Sequence, residues 1–221
     1  MVLEVVGPAG AGKTSFLMEL ARRSDRVHPI FGFMRVRYAA DFALEGLCLL
    51  PRALSWYGPG RLSNWMEARR LLRLLASRRV VGRAAARHPI VALDQGPVYT
   101  LATLPDYLSR RNDGFAGWWE GVLRGWATTL DVVITLDAPD DILIGRIRGR
   151  DKGHAVKRRP DAEAREFLSR FRREFERTLG QLSAFGLPRI LSYEAGRPVD
   201  ALVEEALGAL LPLIEPGRGA A

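Results

Sequence analysis

One eight-residue segment constrains this chain more than any other. Gly7-Pro8-Ala9-Gly10-Ala11-Gly12-Lys13-Thr14 fits the pattern GxxxxGK[ST]. It follows the β-branched run Val2 to Val6 and opens Thr14 to Arg23, where Phe16, Leu17 and Leu20 recur at helical spacing. Strand, glycine loop and helix in that order make an anion cradle. Small residues let backbone N–H groups wrap phosphates, and the helix N-terminus adds partial positive charge. With glycine near 7% of residues, the pattern arises by accident in roughly one chain of this length in a hundred, and its placement lowers those odds. The reading assigns Gly7, Pro8, Ala9, Gly10, Ala11, Gly12, Lys13, Thr14 and the adjoining Ser15 to a nucleoside triphosphate such as ATP. Lys13 would reach the β- and γ-phosphates, and the Thr14 hydroxyl would serve Mg²⁺.

The rest of the chain alternates strand-like and helix-like stretches. A second strand is expected within Ile30 to Tyr38, with turns at Pro51 and Gly58-Pro59-Gly60. Ser63 to Arg87 reads as a helix broken or bent near Gly82, and Ile90 to Leu93 as a buried strand closed by Asp94. Pro97 to Asp113 mixes turns with short helix. Phe115 to Leu130 is a packed helix whose Trp118, Trp119 and Trp126 belong to the core. The strand Val132 to Leu136 feeds a helix over Asp140 to Arg148. Asp161 to Leu182 carries Phe167, Phe171, Phe175 and Leu179 at four-residue steps, one apolar face on a charged helix. Pro188 to Tyr193 and Val199 to Ile214 supply a last strand and helix. This alternation predicts one α/β domain over residues 1–221, a parallel sheet covered by helices on both faces.

Composition narrows the partners. The chain is 48% hydrophobic and 26% charged, ordinary values for a globular domain rather than a disordered one. MVLEVVGPAG lacks the features of a signal peptide, and no apolar run approaches a membrane span, so a soluble cytoplasmic protein without a membrane partner is expected. The single cysteine, Cys48, reads as a small buried hydrophobe in a reducing compartment. A net charge of +8 favours anionic partners, whether nucleotides, nucleic acid or an acidic surface. Of 33 basic residues only Lys13, Lys152 and Lys157 are lysines, and all three fall in the two segments read as phosphate-binding.

A phosphate cradle of this kind also needs a carboxylate near its metal. Asp94, at the end of an apolar run, fits as Mg²⁺ partner or as general base; the bland alternative is a turn former after a strand. It is followed by Gln95 rather than the glutamate of many water-activating ATPases, and no Asn-Lys-x-Asp guanine-recognition segment occurs. The stretch Ile144 to Arg159 is densely basic and carries interior glycines. It reads as a lid over about residues 146–159, in which Arg146, Arg150 and Lys152 stabilise a transferring phosphoryl group. A solvated basic loop or a nucleic-acid patch is the alternative. His154, alone in that loop, gives no zinc signature.

Five pieces together resemble thymidylate kinase and, more broadly, the P-loop nucleoside and nucleotide kinases: GPAGAGKT, LLRLLASRR, VALDQG, ITLDAPDDILIGRIRGR and SYEAGRPVDALVEEAL. The resemblance implies a P-loop NTPase fold with five parallel strands, Mg-ATP as donor, an arginine lid, and an adenine site near Glu194 to Arg197. It also implies a departure. That family usually places arginine directly after the strand-end aspartate, where it holds the acceptor's phosphate; this chain has Gln95-Gly96-Pro97. A neutral amide does not replace a guanidinium fork as a phosphate clamp. The acceptor expected is therefore a nucleoside, sugar or other small alcohol rather than a standard nucleoside monophosphate, unless Arg35, Arg37, Arg78 or Arg79 supplies the cation. Two functional classes follow. One is a kinase acting on a small-molecule acceptor, with a homodimer among the assemblies to expect. The other is a nucleotide-dependent binding or regulatory ATPase acting on nucleic acid or a protein partner.

Overall fold

The computed structural model describes residues 1–32, 40–48, 65–104, 113–151, 153–186 and 188–214. The strands are β1 (Val2–Val6), β2 (Val27–Phe31), β3 (Ile90–Asp94), β4 (Val132–Asp137) and β5 (Arg189–Glu194). The helices are α1 (Lys13–Arg23), α2 (residues 40–48), α3 (Trp65–Ala85), α4 (Pro97–Ala102), α5 (Asp113–Ala127), α6 (Asp140–Arg148), α7 (Asp161–Ser183) and α8 (Val199–Ile214). The strands form one five-stranded sheet in the order β2-β3-β1-β4-β5, with every pairing parallel. It is the α/β architecture expected of a P-loop fold.

The register explains where a site must form. Val5 lies beside Asp94 of β3, and Val6 beside Thr135 of β4. The chain leaves β1 for β2 and β3 on one side and reaches β4 on the other, so the crevice beyond the strands' carboxyl ends opens where the order switches, above β1.

Strand alternation divides the core in two. Val2 and Val6 face a cluster with Leu71 and Leu74 of α3, Val98 and Leu101 of α4, Trp119 and Trp126 of α5, and Phe175 and Leu182 of α7. Leu3 and Val5 face the other cluster, with Phe16, Leu17 and Leu20 of α1, Leu143, Ile144 and Ile147 of α6, and Leu202 and Val203 of α8. Each fully buried Leu or Phe contributes about 1.5–3 kcal/mol relative to exposure. Trp119 and Trp126 are buried in the first cluster, and Trp118 packs against it, as expected of core tryptophans.

Several expectations need correction. The second strand is Val27–Phe31, earlier than the expected Ile30 to Tyr38, because the chain turns tightly after α1 and Val27 N–H donates to the Ser24 carbonyl at 3.0 Å. As an edge strand it tolerates Pro29, which has no N–H to give. Helix α3 is not broken at Gly82: it runs to Ala85, and Ala86 N–H still bonds the Gly82 carbonyl at 3.1 Å. The cost of one glycine, about 1 kcal/mol, is overridden by burial of the adjoining Val80 and Val81. Cys48 is exposed rather than buried, because α2 turns Leu47 and Cys48 outward. The turns expected at Pro51 and at 58–60, together with Arg35, Arg37 and Lys152, lie outside the described residues.

Helices α6 and α7 are tied together by charge. Arg172 donates to both oxygens of Asp137 at 2.6 and 3.0 Å, to Asp140 at 2.7 Å and to the Ala138 carbonyl at 3.1 Å. Arg148 reaches Asp161 at 2.6 Å and Arg165 reaches Asp141 at 2.5 Å. The basic segment between these helices therefore has anchored ends. Among the described residues, no helix is long and apolar enough to cross a membrane.

Candidate functional site

The glycines of the loop are required by contact as well as by conformation. Gly7 has φ +143, and a Cβ there would lie 2.0 Å from the Leu136 carbonyl oxygen of β4. Gly10, at φ +92, would bring a Cβ to 2.7 Å from the Leu143 oxygen of α6. Gly12 adopts the left-handed conformation that starts α1, and the N–H groups of that helix's first turn open toward the crevice.

Lys13 folds back over the loop, its ammonium donating to the Gly7 and Pro8 carbonyls at 2.8 Å each. Burial pushes its pKa down to about 8; Arg150 pushes the same way, and Asp94 opposes them. The Thr14 hydroxyl donates to Asp94 Oδ2 at 3.1 Å. Asp94 Oδ1 is buried with no hydrogen-bond partner among the described residues. A hydroxyl beside a carboxylate that keeps one buried oxygen unused suits Mg²⁺, which takes one or two protein ligands and completes its shell with water and phosphate. Among the described residues no group of three His, Cys, Asp or Glu could cage a metal by itself, so water and phosphate would have to supply most of the ligands.

Two cavities flank the loop. The first, of about 720 Å³, is lined by Gly7, Ala9, Gly12, Lys13, Thr14 and Ser15 of the loop, by Asp94 and Gln95, and by Arg150, Asp151 and His154 of the basic segment. Its remaining wall is aromatic: Tyr99, Phe167 and Phe171. The Tyr99–Phe171 and Phe167–Phe171 ring centroids lie 6.0 and 5.7 Å apart. The second cavity, of about 690 Å³, is lined by Gly10 to Gly12, Ser15, Phe16, Arg146, Arg150 and residues 195–199. There Arg146 donates to the Ala195 carbonyl at 2.7 Å, and Arg197 pairs with Glu205.

The structure thus gathers Lys13, Thr14, Ser15, Asp94 and Arg150 around one space. It places Arg146 elsewhere, on the second cavity, and Arg150 on both. Residues 146–148 belong to α6, so the loop of the expected lid begins at Gly149. Within it Val156 is fully buried in the core, and Lys157 bonds the Arg150 carbonyl. Arg79 pairs with Glu45, and Arg78 packs against Gly125 of α5; neither lines the two cavities.

In sequence, Phe167 and Phe171 show only as part of an apolar helix face, and Glu4 belongs to no motif. A glutamate inside the otherwise apolar run VLEVV is itself a signal, since buried charge is costly unless it is used. Burial pushes the Glu4 carboxyl up to about 8, against the pull of the Tyr99, Val98 and Gly96 amides and of Arg73. The folded state therefore holds a proton that the unfolded chain releases near pH 4.5, and stability from this group falls as pH rises from about 4.5 to about 8. We expect the melting temperature to fall over that window and Glu4→Gln to flatten the slope; equal slopes in thermal melts would refute this.

No protein-family model and no curated protein sequence matches the chain. Solved structures do. The chain is similar to deoxyadenosine kinase from M. mycoides with the products dCMP and a flexible dCDP bound, at TM-score 0.57 and 16% identity, covering 96% of this chain and 100% of that one. The dATP and dCTP complexes of deoxyadenosine kinase from M. mycoides match over the same shares, with TM-scores of 0.54 and 0.52 and 14% identity each. At this identity the likeness is one of fold.

Proposed function

We propose that the chain is an ATP-dependent phosphotransferase that moves the γ-phosphoryl group of Mg-ATP to a hydroxyl of a small, uncharged acceptor of the nucleoside kind. One observation carries this reading: the phosphate cradle, the Thr14–Asp94 pair, Arg150 and an aromatic wall all line a single cavity. A nucleotide-hydrolysing switch needs the cradle but no aromatic chamber beside it.

Phosphoryl transfer forms an oxygen–phosphorus bond to the acceptor as the bond to the bridging oxygen of ADP breaks, and charge spreads over the three equatorial oxygens. Lys13 and Arg150 supply cations on that side. A magnesium ion at Thr14 and Asp94 would neutralise charge on the β- and γ-phosphates. The acceptor's proton needs a carboxylate, and Asp94 and Asp151 both line the cavity. Arg146, with the turn at residues 195–197, is set to hold the donor's base in the second cavity, which the loop joins to the first. Tyr99, Phe167 and Phe171 offer a planar acceptor ring a stacking surface.

A thymidylate-kinase type of acceptor is less well supported, because no arginine follows Asp94. Similarity in fold to deoxyadenosine kinases is compatible with an uncharged acceptor. A nucleic-acid role for the basic segment loses support because its Arg148 and Arg159 each face a carboxylate.

The test is a panel of nucleosides, nucleoside monophosphates and small alcohols incubated with Mg-ATP and scored by mass spectrometry for one added phosphoryl group. Transfer to nucleosides or alcohols is expected. Efficient, saturable transfer to monophosphates alone would restore the thymidylate-kinase reading, and transfer to nothing in the panel would overturn the proposal.

A further inference from the structure

Glu4 is fully buried in β1, on the face that meets α3 and α4. Its two carboxylate oxygens accept the Val98 and Tyr99 amides at 2.8 and 2.9 Å. The Gly96 amide contributes to the same nest. Gly96 has to be glycine, because a Cβ would lie 2.8 Å from the Glu4 carboxyl carbon. From the other side Arg73 of α3 donates to the Gln95 carbonyl, its guanidinium 6.0 Å from the Tyr99 ring centroid. One buried carboxyl and one half-buried guanidinium therefore hold the two ends of the peptide group that follows Gln95, Arg73 at its carbonyl and Glu4 at the Gly96 amide.

The residue so gripped has φ +56; among the described residues it alone has positive φ without being glycine. Glycine would make the same turn at no steric cost. A glutamine kept in that conformation, exposed and lining the larger cavity beside Asp94 and Tyr99, indicates that its side chain is used. An amide carries donors and an acceptor in fixed relation, which matches hydroxyl groups or the edge of a neutral ring. It offers a phosphate no charge.

We infer that Gln95 recognises the acceptor, its amide hydrogen-bonding the acceptor's uncharged polar groups, and that Glu4 and Arg73 are positioning residues holding it in the left-handed conformation. The inference rests on the kinase reading above and names the residue that gives that reading its acceptor class.

Three variants test it on the full chain, with whichever acceptor the panel reveals. Gln95→Gly keeps the turn and removes the amide. It should melt at or above the wild-type temperature yet raise the acceptor KM about tenfold, the loss of one neutral hydrogen bond, with the ATP KM unchanged. A residue that only shaped the turn would show no rise in acceptor KM, and that outcome would overturn the inference. Glu4→Gln and Arg73→Met should each raise the acceptor KM alone. Combined with Gln95→Gly they should add nothing further, since they act through the same amide. Additive effects, or a change in ATP KM instead, would remove the positioning role. If the wild-type chain phosphorylates no acceptor, the kinase reading fails and the inference with it. If it does and Gln95→Gly matches it, only the inference fails.

Discussion

Lys13→Ala lowers phosphoryl transfer from Mg-ATP by about two to three orders of magnitude, the usual loss when a preorganised donor to a developing anion is removed. The fold survives. In the structure the Lys13 ammonium is part-buried, which lowers its pKa to about 8, and it bonds two carbonyls of its own loop rather than any distant element. Thermal melts should agree to within a few degrees. The same lowered pKa makes a second outcome. Triphosphate binding favours the charged ammonium, so binding takes up a proton where free Lys13 is partly neutral, and affinity for Mg-ATP falls as pH rises through about 8. Titration calorimetry in buffers of different ionisation enthalpy reads that proton, and Lys13→Ala should abolish it. Activity equal to the wild type's, or a pH dependence that survives in the variant, would remove Lys13 from the phosphate site.

The anchored basic segment bears on how a complex closes. With α6 and α7 joined through Arg148–Asp161, Arg165–Asp141 and Arg172 to Asp137 and Asp140, the two helices are held to one another at both ends of the segment. In the loop after Arg148, Arg150 lines both cavities and Val156 is buried in the core. In the kinase proposed above, Arg150 would reach both the donor and the acceptor from one backbone position.

The sequence showed the frame of this site because its signals are local. A glycine loop between a β-branched run and an amphipathic helix reports on consecutive residues, and so do the apolar runs that became β3 and β4 with their terminal aspartates. The parts it hid depend on packing between distant segments. Arg146 and Arg150 stand one turn apart in a basic run and look equivalent, yet the contact of Arg146 with Ala195, 49 residues on, carries it to the second cavity. Phe167 and Phe171 share a four-residue rhythm with Phe175, but only tertiary contact with Tyr99 shows that the face runs from core to cavity wall. Gln95 was visible as a departure from a pattern. What gives it consequence, the left-handed backbone and the buried carboxyl and guanidinium that hold it, comes from β1 and α3.

Gly7→Ala is expected to be the most damaging single-methyl change in the chain's loop, whereas Gly12→Ala is mild by comparison, although both positions carry positive φ. At Gly12 an added Cβ meets nothing within 4 Å, so the cost is the left-handed strain alone, about 1–2 kcal/mol. At Gly7 the backbone sits at φ +143, and the Cβ would lie 2.0 Å from the Leu136 carbonyl oxygen, inside the sum of the atomic radii. That oxygen belongs to β4 in the middle of the sheet and cannot swing aside as a side chain would. Either β4 shifts against β1, breaking a ladder that runs from Leu3 to Val6, or the loop lifts away from the sheet. Both routes cost more than about 3 kcal/mol, at the upper end for single substitutions, and for a chain of this size that lowers the melting temperature by roughly 6–12 °C. Both also displace the N–H groups of the cradle, so triphosphate binding is lost along with stability. Thermal melts with and without Mg-ATP separate the variants: Gly12→Ala should retain a ligand-induced rise in melting temperature, and Gly7→Ala should show none. Equal losses in the two variants would mean that contact with the Leu136 carbonyl does not set the loop's position.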